Sequence, residues 1–171
     1  MFCLRPYKAC DAEKIVSWTG DERAFRLWSA DRFDEYPLTA EGLNAHYDSF
    51  AYSESPLPFT LTDNGEVCGH MIMRYTDEAR KTVRFGFVIV DNSRRGQGLG
   101  KAMLTLAVKY AFEFLGADKL TLGVFTTNQS ALECYKAAGF TECGTIKNAF
   151  AYGDESWDLT QMEIGLDLEI K

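Results

Sequence analysis

Residues 83–102 read VRFGFVIVDNSRRGQGLGKA. An apolar strand runs through a basic, glycine-rich turn and opens directly into a helix. Three glycines at alternate positions, Gly96, Gly98 and Gly100, strip side chains from one side of the backbone. Several amide N–H groups can then converge on one anion. The helix that follows has its first N–H groups unpaired and its dipole positive at the same point. Strand, bare amides and helix start together predict a cradle for a pyrophosphate.

Two common phosphate loops do not fit. A P-loop needs a glycine five residues before its Gly-Lys pair and a Ser or Thr after it. Here Arg95 and Ala102 stand at those places around Gly100-Lys101. The dinucleotide fingerprint needs G-x-G-x-x-G near the start of its domain. This chain has G-x-G-x-G, with Lys101 in place of the last glycine and about ninety residues ahead of it.

What remains is R-G-Q-G-L-G, Arg95 to Gly100, which matches Q/R-x-x-G-x-G/A. A second block, NQSALECYKAAGF from Asn128 to Phe140, lies one long helix and one strand further on. Together the two blocks resemble the GCN5-related N-acetyltransferase (GNAT) superfamily. The residue-level likeness spans 83–140, and the order of elements extends it to most of the chain.

Length and composition agree with one globular domain over residues 1–171. A chain of this size buries roughly 70% of its unfolded surface, and 46% of its residues are apolar. The net charge of −7, from 18 cations and 25 anions, leaves no broad basic surface for nucleic acid or an anionic membrane. It suits a cationic amine as partner, or serves solubility alone. Against this background Arg94, Arg95 and Lys101 gather at the glycine turn, where a polyphosphate would sit. Five cysteines form no C-x-x-C pair, and with only two histidines no metal framework is expected. The absence of a signal-like or membrane-length apolar run points to a cytoplasmic protein with reduced cysteines.

Periodicity predicts strands at Phe2–Pro6, Phe59–Thr62, Val67–Tyr75, Thr82–Val90, Lys119–Phe125, Thr141–Ile146 and Trp157–Leu168. Asp63-Asn64-Gly65-Glu66 reads as a tight hairpin turn. Helices are expected from an Asp11 cap to Trp18, around Ala24–Ala30, at about 40–50, over Gly98–Leu115, and from an Asn128 cap to Gly139. The result is an α/β class with a mixed sheet. The resemblance implies the GNAT acyl-CoA N-acyltransferase fold: a largely antiparallel twisted sheet, strands four and five splayed apart, and helices on its faces.

The resemblance also implies a chemistry. Acetyl-CoA would be the cosubstrate and an amine the acceptor, either a small molecule or a peptide N-terminus, with direct attack on the thioester and no metal. Arg95, Gly96, Gln97, Gly98, Leu99, Gly100 and Lys101 would hold the pyrophosphate. Backbone groups of Val88, Ile89 and Val90 would pair with the pantetheine arm as an added strand does. An amide near Ile89 or Val90 would face the thioester oxygen. Asn128 would cap its helix and face the arm. Tyr135, two turns on, would also contact the cofactor and would protonate the departing thiolate. At the strand-five position where some relatives carry a glutamate base this chain has Gly123. The base is left open among a water chain, Asp91, Glu54, Asp34 and Glu35, with His70 read as a core residue. Acids and aromatics of residues 23–56 (Asp31, Asp34, Glu35, Asp48 and Glu54; Trp28, Phe33, Tyr36, Tyr47 and Tyr52) border the acceptor, either gripping a cation or forming a solvated face. A non-catalytic acyl-CoA-binding domain is the alternative. The assembly is a monomer or homodimer.

Overall fold

Alternating apolar residues build seven strands into one sheet in the computed structural model, which describes residues 1–166. The strands are β1 (Phe2–Pro6), β2 (Leu57–Asp63), β3 (Glu66–Tyr75), β4 (Thr82–Val90), β5 (Lys119–Phe125), β6 (Thr141–Tyr152) and β7 (Glu155–Gly165). Their order across the sheet is β1-β2-β3-β4-β5-β7-β6. All neighbours are antiparallel except β4 and β5. The helices are α1 (Ala12–Val16), α2 (Glu22–Ser29), α3 (Ala40–Asp48), α4 (Leu99–Glu113) and α5 (Gln129–Ala137).

The two faces of the sheet carry two cores. One packs Leu61, Met71, Met73, Phe85, Leu120 and Leu122 against α4 and α5, with Met103, Leu104, Ala107 and Tyr135. The other packs Ile72 and Phe87 against α1 to α3, through Ile15, Phe25, Leu43 and Tyr47. The period of two along a strand assigns each side chain to its face.

β4 breaks that alternation once. Met73 pairs with Phe85 and Ile72 with Gly86, but His70 pairs with Ile89, so the ladder shifts by a bulge at Phe87–Val88. Phe87 has φ +50°, a backbone region that few side chains adopt. Before the bulge Val83 and Phe85 face the α4/α5 core; after it Val88 and Val90 do, while Phe87 and Ile89 turn to the α1–α3 side. The extra residue thus re-aims an aromatic side chain, a common use of bulges near sites.

Several expectations need correction. Asp11 does not cap a helix with its side chain. Its buried carboxylate instead accepts from Arg5 at 2.7 and 2.8 Å, from Thr60 at 2.8 Å and from the Lys8 amide at 2.9 Å. Burial alone would raise the pKa of Asp11, but these donors overcome it and hold the carboxyl below its ordinary value. α4 starts one residue later and ends earlier than its pattern suggested. β6 runs on to Tyr152, through ladder shifts at Glu142/Gly144 and Ile146/Phe150. Almost all of β6 is exposed, so no buried alternation marked its length. Residues 167–168, expected to end the last strand, lie outside the described residues.

Candidate active site

β4 and β5 pair only at Thr82–Arg84 with Lys119–Thr121. Beyond that point the strands part, and residues 85–90 present a backbone edge with no ladder to β5. Along this gap runs a cleft of about 1080 Å³. Val88, Ile89 and Val90 line it immediately after the bulge. The V-shaped opening expected between strands four and five is therefore present, and one of its edges is free backbone.

The glycine turn closes one end of the cleft. Gly96 and Gly98 both have φ +77°, and a Cβ on either would project into open space. Gly98 occupies the N-cap of α4 without a side-chain cap, so the amides of Leu99, Gly100 and Lys101 have no intrahelical partner. Leu99 buries its side chain and offers only its N–H. At Gly100 a Cβ would come within 2.8 Å of Cys134 Sγ; the glycine lets α4 approach α5. Arg95 and Lys101 line the cleft. Arg94 also touches it, but its guanidinium is spent on Asp63 at 2.8 Å and on Gln97 Oε1 at 3.0 Å. That corrects the grouping of Arg94 with the anion-binding cations. It and the Gln97 side chain brace the loop that carries the bare amides.

Asn128 Oδ1 accepts from the Ala131 amide at 3.4 Å and caps α5, and the residue also lines the cleft. Tyr135 lines the same wall. Burial, with a smaller contribution from Cys134, pushes its phenol well above the ordinary range. It is protonated at any physiological pH.

None of the base candidates named from sequence borders the cleft. Asp91 caps its own turn through the Ser93 amide and hydroxyl, at 3.0 and 2.6 Å. Glu54 pairs with Arg80, and Asp34 and Glu35 face solvent. His70 is fully buried, with Nε2 2.6 Å from the Tyr47 hydroxyl. Burial pushes its pKa down to about 4.

Of the acids and aromatics in residues 23–56 that were expected around the acceptor, only Asp31 and Trp28 line the cleft. His46 was missed from sequence. It sits on the cleft wall within 4.8 Å of the Phe33 ring and 5.8 Å of Phe87. Burial and Arg32 lower its pKa, so its imidazole is neutral at pH 7 and able to accept a proton. Arg32, Arg74 and Arg84 were missed as well. A Cβ on Gly123 would meet Arg84 Nη2 at 2.7 Å, so an arginine head occupies the space where a strand-five side chain would stand. Arg74 and Arg84 face each other in the hairpin register, half a residue off the middle of the polar turn 76–81, so counting outward from that turn would have set Arg74 opposite Val83 instead.

Among the described residues no group of three or more His, Cys, Asp or Glu side chains is placed to hold a metal ion, and no helix is long and apolar enough to cross a membrane.

A splayed parallel pair, a bulged strand and an anion cradle at a helix start define an acyl-CoA-dependent acyltransferase architecture. Residues 22–140 match the Acetyltransferase (GNAT) family, and the chain belongs to that family. Spermidine N(1)-acetyltransferase of Escherichia coli K12 is 24% identical over 147 residues, 86% of this chain and 76% of the relative. The crystal structure of spermidine N-acetyltransferase from Vibrio cholerae in complex with CoA and spermine superposes with a TM-score of 0.82 at 19% identity, over 96% of this chain and 95% of that one. A putative phosphinothricin N-acetyltransferase superposes at 0.76 with 26% identity, over 97% and 99%. The chain is an acetyl-CoA-dependent N-acetyltransferase.

Proposed function

We propose that acetyl transfer takes place between the splayed strands, by direct attack of an amine on the bound thioester. The observation that carries this reading is the unpaired edge of β4 leading to bare amides at the start of α4, with Tyr135 among the residues that line the same cleft. The amides of residues 96–101, with Arg95 and Lys101, grip the diphosphate of acetyl-CoA. Backbone groups of Val88, Ile89 and Val90 pair with the pantetheine amides, and one of them donates to the thioester oxygen as the tetrahedral intermediate forms. Asn128 orients the arm.

Tyr135 then protonates the departing thiolate. The low-dielectric surroundings that raise the phenol also raise a thiolate expelled beside it, so the two remain matched for proton transfer. The proton lost by the amine leaves through the cleft, where His46 and Asp31 are the lining groups able to accept it. The acceptor is a small molecule or a peptide N-terminus. Relatives this distant act on acceptors as different as spermidine and aminoglycosides, so none is carried over. The reading treats residues 1–171 as one cytoplasmic domain, a monomer or homodimer.

Tyr135→Phe tests it. Turnover should fall about 100-fold, the usual worth of a positioned general acid, with CoA affinity by calorimetry unchanged. Unchanged turnover would remove Tyr135 from the role.

A further inference from the structure

The end of the cleft away from the glycine cradle carries a charge opposite to that of the whole molecule. Arg74 and Arg84 oppose each other directly across β3 and β4, on the sheet face that looks toward α1–α3. Like charges in that relation destabilise a strand pair. Arg84 lies over Gly123 and donates from Nη1 to Gln161 Oε1 at 3.2 Å. Arg32 reaches in from the turn after α2, and all three line the cleft. Partial desolvation, followed by the neighbouring guanidinium groups, lowers the pKa of Arg84, which is half-buried, and of Arg74, which stays exposed at the surface of the cleft.

Among the described residues none of these three arginines pairs with a carboxylate, and neither do Arg26 and Arg95, whereas Arg5, Arg23, Arg80 and Arg94 all do. In a chain with 25 acids to 18 cations, counterions are not scarce. Three guanidinium groups on one cleft wall, Arg84 half-buried and Arg74 and Arg32 exposed, repel one another with no carboxylate partner among the described residues, and an oxyanion placed among them would relieve the repulsion.

We propose that the acceptor is a small amine that also carries a carboxylate, phosphonate or comparable oxyanion, gripped by Arg74 and Arg84 with Arg32 beside them. The inference rests on the acetyl-transfer reading above and names its substrate class. Arg84 is roughly 20 Å along β4 from Val90 at the strand rise. Diphosphate and acceptor anion therefore sit at opposite ends, with the amine between. The same cations favour the neutral form of an adjacent ammonium, which helps to free the nucleophile with no carboxylate at position 123. A polyamine would meet three like charges there, with Asp31 as the one acid among the described lining residues.

Initial rates with acetyl-CoA test this over matched acceptors: the twenty amino acids, their carboxamides, their aminophosphonate analogues, spermidine and N-terminal peptides. The free acids should exceed their carboxamides about 30-fold in kcat/KM, the scale of a charge-assisted hydrogen-bonded pair. The phosphonate arm distinguishes a carboxylate from a larger oxyanion as the bound group. Arg84→Gln should raise KM for the acid about 30-fold and leave the carboxamide's KM unmoved, with partial recovery in Arg84→Lys. Arg74→Gln should act in the same sense and covers a failure of the first variant to fold. Faster acetylation of spermidine, carboxamides or peptides, or acetylation of no anionic amine in the set, overturns the proposal. Calorimetry with CoA, run in parallel, tells the two readings apart: absent heat condemns the donor site, and normal heat leaves the acceptor proposal alone at fault.

Discussion

In the proposed reading the donor end of the cleft is made of backbone, and the acceptor end is made of side chains. The groups assigned to the donor are amides of residues 96–101 and the free edge of β4, and most of them lie within one continuous stretch. At the acceptor end Arg32, Arg74, Arg84 and His46 arrive from a turn, two strands and a helix. The two ends also rest on different cores. The α4/α5 core behind the donor end holds neither histidine. The α1–α3 core lies against His70, fully buried and bonded to Tyr47. A ligand grip built from backbone inherits the stability of the helix and strand that present it. One built from converging side chains depends on the layer that holds those elements together.

That contrast makes its largest prediction in acid. His70 titrates near pH 4 in the folded chain and near 6.5 when unfolded. Between those values the unfolded state binds more protons, so stability rises with pH and is lost as pH falls from about 6.5 toward 4. A shift of that size corresponds to about 3 kcal/mol. Denaturant unfolding at pH 7 and pH 4.5 should register most of that loss, and His70→Asn should flatten the slope. If the slope survives the substitution, the acceptor-side core is not the acid-sensitive one.

The same division explains what the chain's letters disclosed. The glycine turn, the long helix and the hairpin at Asn64-Gly65 each depend on neighbours in sequence, and each lies where periodicity and turn chemistry place it. Asn64 and Gly65 both have positive φ, as such a turn requires. Asn128 and Tyr135 were found because one short helix carries both to the cleft. The arginine cluster was not, because it exists only once β3 and β4 are in register and α2 has docked. Acid counts in residues 23–56 pointed toward a cationic acceptor, but of those acids only Asp31 lines the cleft. The bulge at Phe87 also left no trace, since FGFVIV reads as unbroken strand.

A matched pair of glycine substitutions sharpens the comparison next. Gly98 and Gly65 have φ +77° and +89°, and neither has an atom within 4 Å of a built Cβ. Alanine in that left-handed region costs each about 1 kcal/mol, so Gly98→Ala and Gly65→Ala should lose similar stability. Only Gly98→Ala sets a methyl among the cradle amides. Its KM for acetyl-CoA should rise about 30-fold, as expected when charge-assisted contacts are displaced, with that of Gly65→Ala unchanged. Equal effects from both would mean that backbone strain, rather than anion contact, governs the donor end.

The smallest effect, and the one that discriminates most finely, comes from Gly123→Glu, which restores the carboxylate that some relatives carry on this strand. The new Cβ would meet Arg84 Nη2 at 2.7 Å and Leu159 Cδ2 at 3.0 Å. The arginine head is flexible and can swing away, but the glutamate lands among three cations and pairs with them before it can serve as a base. Ion pairing also holds its pKa low, which weakens it for that task. Steady-state rates should therefore show kcat/KM for an oxyanion-bearing amine reduced about tenfold, the scale of one partly exposed charged contact, with KM for acetyl-CoA unmoved. A rise in kcat would mean that this end of the cleft lacks a base rather than needing its positive charge, and the asymmetry drawn between the two ends would have to be rebuilt around proton transfer.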